Sequence, residues 1–140
     1  MERTGCRNDL VDSSALLAVI LNEADEERFL NAMVDAPFLK MSAATWLEAA
    51  IVVDRTKDRA IAATRFDEVT EELRIQLVPV TVEMAHRARI AHAHFGRGVH
   101  IAKLNFGDCF SYALAKITRE PLLFKGNDFF HTDIESALKD

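Results

Sequence analysis

The chain has 140 residues, of which 49% are apolar, and this is enough for one domain with a buried core. Its net charge of −5 argues against a generic nucleic-acid-binding protein, and its longest apolar run, residues 15–21, is far too short to span a bilayer. Without an apolar signal segment near the start, a disulfide framework or a zinc-ligand pattern, we expect one soluble, cytoplasmic domain over residues 1–140, with 1–7 as a flexible extension.

The spacing of apolar residues and the turn residues predict short strands that alternate with helices. Strands are predicted at 8–11, 37–42, 75–81 and 120–125, with Pro79 placing the third near an edge. Helices are predicted after Ser14 and over 23–36, 42–56, 58–74, 82–95, 107–118 and 131–140. This alternation favours crossover connections and a mostly parallel sheet, in which ligands gather beyond the carboxyl ends of the strands.

Charge is distributed unevenly along the chain. Residues 86–125 carry seven Lys or Arg side chains against two acids, so this segment is +5 and the remainder is −10. Such a basic half is either a solvated surface or a face for a polyanion. If it contacts RNA, the candidate contacts are Arg97, His100, Lys103, Lys116 and Lys125.

Several aspartates follow predicted strands or open predicted helices. Asp12 ends the first strand, Asp108 opens the helix over 107–118, Asp128 lies in the turn after the last strand, and Asp133 is expected near a helix start. Each of them, considered alone, can be an ordinary helix cap or turn residue. Ser14 can hold the Asp12 side chain or make an ordinary hydrogen bond at a helix start.

Glu48 lies in an apolar stretch, TWLEAAIVV, where an unpartnered carboxylate is costly to bury. A Thr-x-x-Glu capping box that begins at Thr45 would explain it. Ser42 is an equally good helix start, however, and it would place Glu48 well inside the helix. In the helix that carries Asp108, the apolar side chain of Phe106 is expected to pack in the core and help anchor that helix.

Taken together, Asp12, Asp108 and Asp128 should meet at one edge of a parallel sheet, with Glu48 on a helix that starts just beyond the second strand. Carboxylates at such spacing repel one another strongly unless a cation neutralises them. Ligands that are all oxygen favour Mg²⁺ or Mn²⁺ over Zn²⁺. The chemistry this suggests is metal-assisted hydrolysis of a phosphodiester. No phosphate-binding glycine loop is present, and three nearby histidines lack a fourth zinc ligand at familiar spacing: His92, His94 and His100.

Four features occur in an order and spacing that resemble the PIN-domain family, in particular the VapC toxins of VapBC toxin–antitoxin modules. They are VDSSAL near the start, Glu48 in a helix, LNFGDCFSYALAK and LLFKGNDFFHTDI. The resemblance runs from about residue 9 to the end of the chain. It implies a three-layer α/β/α sandwich with a mostly parallel central sheet.

The resemblance also implies the toxin component of a type II module, a Mg²⁺- or Mn²⁺-dependent endoribonuclease that cuts structured RNA such as tRNA or rRNA. The matching catalytic acids are Asp12, Glu48, Asp108 and Asp128, with Asp12 and Asp108 as direct metal ligands. Asp133 matches a more variable acid. The implied partners are a VapB-type antitoxin, whose tail blocks the acidic site, and a second copy of the toxin.

Two other functions remain open on the sequence. The first is a non-catalytic interaction module on the same fold, in which the acids serve only as helix caps. The second is a phosphate-accepting receiver domain, which also carries acids at strand ends. A receiver domain would not need a buried Glu48 in a helix, and the later acids lie at the wrong distances for it.

Overall fold

A computed structural model of the chain describes residues 8–138, and the predicted extension at 1–7 lies outside these described residues. In this described part of the chain, four strands form one sheet: β1 (Asn8–Val11), β2 (Phe38–Ser42), β3 (Gln76–Val78) and β4 (Leu122–Leu123). Their order is β3-β2-β1-β4, and every neighbouring pair is parallel. The predicted parallel sheet is confirmed, with β3, which ends just before Pro79, at an edge.

Within residues 8–138, six α-helices cover the sheet, and each of them lies where a helix is predicted. They are α1 (Ser13–Ile20), α2 (Glu26–Asp35), α3 (Ala43–Asp54), α4 (Arg59–Glu72), α5 (Val82–Phe95) and α6 (Phe106–Thr118). A short 3-10 helix, Asp128–His131, follows β4. Among the described residues, no helix is both long enough and apolar enough to cross a membrane.

Successive strand residues point to opposite faces of the sheet, which creates two separate cores. Val11 and Leu123, which are register partners, pack with α1 to α4. Leu10 and Leu122, the neighbouring pair, pack with α5 and α6 on the other face. The domain is therefore the predicted three-layer α/β/α sandwich.

The beginning of α3 settles the position of Glu48 in its helix. Ser42 is the N-cap, and its Oγ accepts a hydrogen bond from the Ala44 amide at 3.1 Å. The helix therefore starts at Ala43, and Glu48 lies well inside it. The alternative capping box that begins at Thr45 is wrong.

The predicted C-terminal helix at 131–140 is also wrong within the described residues. The chain runs extended beside β4, where Leu122 donates to the Glu135 carbonyl and Ala137 donates to the Leu122 carbonyl, both at 2.9 Å. Ile134 packs in one core and Ala137 in the other, as in an extended chain. The open edge of β4 supplies backbone partners that outweigh the local helical pattern.

Candidate active site

Asp12 lies where β1 ends and α1 begins. Its extended backbone (φ −85°, ψ 158°) turns the chain into the helix, and its amide donates to the Leu123 carbonyl of β4 at 3.0 Å. Its side chain is 2% exposed. The sheet and the helix thus hold this carboxylate at the carboxyl end of β1, beside β4.

Both carboxylate oxygens of Asp12 accept hydrogen bonds. Oδ2 accepts from the Ser14 amide at 3.1 Å and from the Ser14 hydroxyl at 2.7 Å, while Oδ1 accepts from the Ser111 hydroxyl at 2.5 Å. The Ser14 hydroxyl oxygen in turn accepts from the Lys125 amide at 3.0 Å, which links Asp12 to the segment after β4. Asp12 therefore caps α1 and is also fixed in orientation by two serines.

Asp108 is the third residue of α6 and not its N-cap. Asn105 is the N-cap, since its Oδ1 accepts from the Asp108 amide at 2.8 Å. Asp108 Oδ2 accepts from the Asn105 amide at 3.0 Å, which completes a capping box. The interpretation of Asp108 as the N-cap of α6 is therefore wrong, because the N-cap lies three positions earlier, at Asn105. One carboxylate oxygen holds the helix start, and within the described residues the other accepts no hydrogen bond.

Glu48 reaches from α3 to the first turn of α6. A Cβ atom at Gly107 would lie only 2.2 Å from Glu48 Oε2, so the carboxylate occupies space that any other residue would fill. The Ser13 hydroxyl donates to Glu48 Oε1 at 3.0 Å. The Glu48 carboxylate therefore lies against Gly107, the residue before Asp108, at the positive end of the α6 dipole.

These carboxylates influence one another electrostatically. Burial, opposed by the hydrogen bond from Asn105, raises the pKa of Asp108 to about 7, and the charges of three other acids add to the rise: Asp12, Glu48 and Asp128. Burial and then the Asp12 charge raise the pKa of Glu48, while the bond from Ser13 lowers it. Because the folded pKa of Asp108 lies above its ordinary value, its contribution to stability is lost as the pH rises through about 7.

The donor set fits a hard divalent cation in its chemistry. All four acids present oxygen, and burial together with the charges of the other three acids raises the pKa of Asp108 to about 7. Over residues 8–138, however, no three acid, histidine or cysteine side chains lie close enough to hold one ion between them. The fold therefore brings the acids close enough to influence one another electrostatically. Within residues 8–138, however, their side chains do not already form a set of three ligands around one ion.

Asp133, which the sequence groups with these acids, faces other partners. It lies in a turn after the 3-10 helix, where it accepts hydrogen bonds from the Tyr112 hydroxyl at 2.7 Å and from the Lys116 amine at 2.8 Å. Its charge is absent from those that raise the pKa of Asp108. The structure therefore places Asp133 along α6 and not with the four acids.

The five residues predicted to contact RNA differ in whether their side chains already have partners within the protein. Lys116 is paired with Asp133, as described, and Lys125 pairs with Glu23 and with Asp25. His100 accepts from the Ala102 amide at 3.0 Å through Nδ1 and packs edge-on against Phe95. In the described part of the chain, the side chains of Arg97 and Lys103 have neither a hydrogen bond nor an ion pair. Their contact with RNA stays a prediction.

Sequence reasoning missed the small residues that hold the acids. They are Ser13, Thr45, Asn105, Gly107 and Ser111. A signal existed for Ser111, because it lies three residues after Asp108 on the buried face of an amphipathic helix, where a polar side chain needs a partner. Asn105 could have been found from its three-residue spacing to Asp108.

An apolar groove of about 520 Å³ opens beside the acids. Glu48 and Gly107 line it together with apolar side chains from α3, α6 and the segment after β3: Leu47, Ile51, Val80, Phe106 and Phe110. Phe106, which the sequence predicts to be a core anchor, is 80% exposed. It instead stacks edge-on against Phe110 with ring centres 5.0 Å apart, at the rim of the groove.

Solved structures share this fold. VapC20 from Mycobacterium tuberculosis, described as a toxin that cleaves the sarcin-ricin loop, superimposes with a TM-score of 0.74 at 14% identity, covering 90% of this chain and 95% of that one. VapBC2 from Rickettsia felis, solved with a DNA fragment from its promoter, gives 0.73 at 11% identity, with 92% and 96% covered.

Sequence relatives are closer. Ribonuclease VapC28 from Mycobacterium tuberculosis is 48% identical over 130 residues, which cover 92% of this chain and 97% of the relative. Ribonuclease VapC from Mycolicibacterium smegmatis is 42% identical over 128 residues, with 91% and 98% covered. The PIN-domain model matches residues 10–135, a span that contains all four acids. The chain therefore belongs to the PIN-domain family and, within it, to the VapC ribonucleases.

Proposed function

We propose that this protein is the toxin of a type II toxin–antitoxin system and acts in the cytoplasm as a Mg²⁺- or Mn²⁺-dependent endoribonuclease on structured RNA. The observation that carries the proposal is that the charges of Asp12, Glu48 and Asp128 all act on Asp108 in the first turn of α6, where burial and then these charges raise its pKa to about 7. Relatives that are named ribonucleases support it. Structured RNA, tRNA or rRNA, is the proposed substrate class.

Asp12 and Asp108 would hold the divalent ion, which supplies water activation and stabilises the leaving oxygen when it is bound. The chain itself provides orientation. Ser14 and Ser111 fix the two oxygens of Asp12, and the capping box fixes Asp108. Glu48, held by Ser13 and seated against the start of α6, would accept a proton or orient the attacking water.

The decisive experiment replaces each ligand with its isosteric amide. Asp12→Asn and Asp108→Asn should each abolish cleavage of total cellular RNA in the presence of Mn²⁺, and activity of the wild type should vanish with EDTA and return with Mg²⁺ or Mn²⁺. Asp67→Asn, an exposed acid on α4, is the matched control and should cleave normally. Either ligand variant cutting at the wild-type rate while folded would refute the assignment. Mapping new 5′ ends after brief induction would then identify the RNA target.

We further propose a VapB-type antitoxin and a second copy of the toxin as partners. The exposed apolar groove beside Glu48 supports a protein partner, because a contiguous apolar surface next to charged groups is typical of an interface. The relative from Rickettsia felis was solved as a VapBC complex. Light scattering of the purified toxin tests the dimer. Co-purification with the product of a small adjacent reading frame tests the antitoxin.

A second candidate function is a non-catalytic interaction module, and the capping bonds favour it. Asp12 caps α1, and Asp108 completes the capping box of α6. If these were their only roles, Mn²⁺ would not bind, and removing the Asp108 carboxylate would cost about 1 kcal/mol of unfolding free energy and nothing else. Mn²⁺ titration of the purified protein by calorimetry separates the two functions.

A further inference from the structure

Ser111 links the two acids that we assign to the metal, although it is not a candidate ligand itself. It lies on α6 one turn beyond Asp108, and its side chain is 3% exposed. Its hydroxyl lies 2.5 Å from Asp12 Oδ1, across 99 positions of sequence. This single contact joins the helix that carries Asp108 to the strand end that carries Asp12.

The direction of this hydrogen bond follows from the chemistry of the partners. An ionised carboxylate only accepts, so the one hydroxyl proton of Ser111 is donated to Asp12. The Ser111 oxygen also lies 3.3 Å from Thr45 Oγ1, and Thr45 is 1% exposed. Since the Ser111 proton is already used, Thr45 is the donor in this longer contact. The protons therefore point in order from Thr45 on α3 to Ser111 and then to Asp12.

We propose that Ser111 is a positioning residue that sets the orientation of Asp12 and its distance from Asp108; the inference rests on the proposed function. A hydroxyl bonded to Oδ1 fixes the plane of the Asp12 carboxylate, while Ser14 fixes the other oxygen. Because Ser111 and Asp108 share one rigid helix, the same bond holds the two acids at a constant separation. Thr45 supports Ser111 from α3, the helix that also carries Glu48.

A buried serine can also be merely a satisfied core hydroxyl, and two substitutions separate these roles. Ser111→Ala removes the donor, and Ser111→Cys removes the strong donor but fills the space, which protects folding. Both should lower kcat for RNA cleavage and weaken Mn²⁺ binding about 10-fold to 100-fold, with KM for RNA changed less than about twofold. Ser111→Thr, which keeps the hydroxyl, should recover most of the loss. Thr118→Val is the matched control, since that α6 hydroxyl bonds only to the Leu114 carbonyl, and it should leave kcat unchanged.

Crystal structures of the metal-free wild type and Ser111→Cys give a readout that does not depend on activity. We expect the Asp12 carboxylate to rotate in the variant. If it keeps its orientation, or if kcat and Mn²⁺ affinity of Ser111→Cys equal those of the wild type, the inference is overturned. If kcat falls only in proportion to the folded fraction, Ser111 is structural and the inference is equally overturned. A wild type that neither cuts RNA nor binds Mn²⁺ would refute the proposed function, and the Asp12 orientation then decides the inference alone.

Discussion

Gly107 offers the sharpest test of how the acids are packed. A Cβ atom at this position would lie 2.2 Å from Oε2 and 2.5 Å from Cδ of Glu48. Real Cβ atoms essentially never approach a heavy atom closer than 3.0 Å, so Gly107→Ala must move the carboxylate by at least 0.8 Å, the difference between these distances. Because this carboxylate ends a flexible side chain, the side chain should swing away while the helix stays in place.

The expected effects on stability and activity therefore have different sizes. Alanine in place of glycine favours a helix by about 0.5–1 kcal/mol in its interior and less in its first turn, which offsets the cost of displacing Glu48. We expect the free energy of unfolding to stay within about 1 kcal/mol of the wild type. A displacement approaching 1 Å at a reacting group can cost about 100-fold in rate, so cleavage should fall by roughly that factor.

The assay combines initial rates on a fluorescent hairpin RNA with Mn²⁺ and urea unfolding of the metal-free protein. Glu48→Ala provides the control background, because without the carboxylate a Cβ at Gly107 meets no clash. In that background Gly107→Ala should change the free energy of unfolding only by what helix propensity allows. Wild-type activity in the single variant, or the same change in unfolding free energy in both backgrounds, would refute the close approach of Glu48 to α6.

Three further predictions follow from the same geometry. In metal-free protein, Asp108→Asn should raise the Tm relative to the wild type more at about pH 8 than at about pH 5, because the cost of ionising Asp108 in the fold grows as the pH rises from its ordinary pKa to its raised pKa of about 7. Asn105→Ala should cost about 1 kcal/mol in urea unfolding and also lower activity, whereas Asn105→Ser should keep its stability. Lys103→Ala should weaken RNA binding and reduce the salt slope by about one, while Lys116→Ala should do less, because Asp133 already pairs with Lys116.

Local patterns were enough to predict the layers of this fold. The alternation of short apolar runs with helical spacing gave the parallel sheet, and Pro79 placed β3 at its edge. Ser42 could be identified as a helix start because an N-cap is a property of neighbouring residues. These features are encoded within a few residues, so the sequence alone carries them.

The errors share a different origin. The C-terminal segment has a helical composition, but the backbone of Leu122 lies beside it and offers hydrogen bonds that a local pattern cannot reveal. Phe106 fits the apolar stripe of α6, yet it lies in the first turn of that helix and remains exposed. In both cases the outcome depends on what the rest of the fold places nearby.

In the candidate site, too, local rules predict some features, and the packing of distant segments determines the others. Rules about strand ends predict that Asp12, Asp108 and Asp128 lie near one another, and the charges of Asp12 and Asp128 do act on Asp108. The contact between Ser111 and Asp12 joins residues 99 positions apart, and the contact between Gly107 and Glu48 joins α6 to α3. Such contacts need the packing angle of two helices, which the sequence pattern does not contain.

Helix capping and metal binding are not competing roles for these acids. A carboxylate that caps a helix lies at its positive end, where the helix dipole lowers the cost of its charge. Asp12 lies at the start of α1 and Asp108 at the start of α6, so two dipoles offset part of their repulsion. Burial, and after it the charges of the other acids, nevertheless raises the pKa of Asp108 to about 7, so the dipoles do not offset the whole cost of its charge. A divalent cation would supply the remainder, so its binding near neutral pH should both stabilise the domain and release a proton from Asp108.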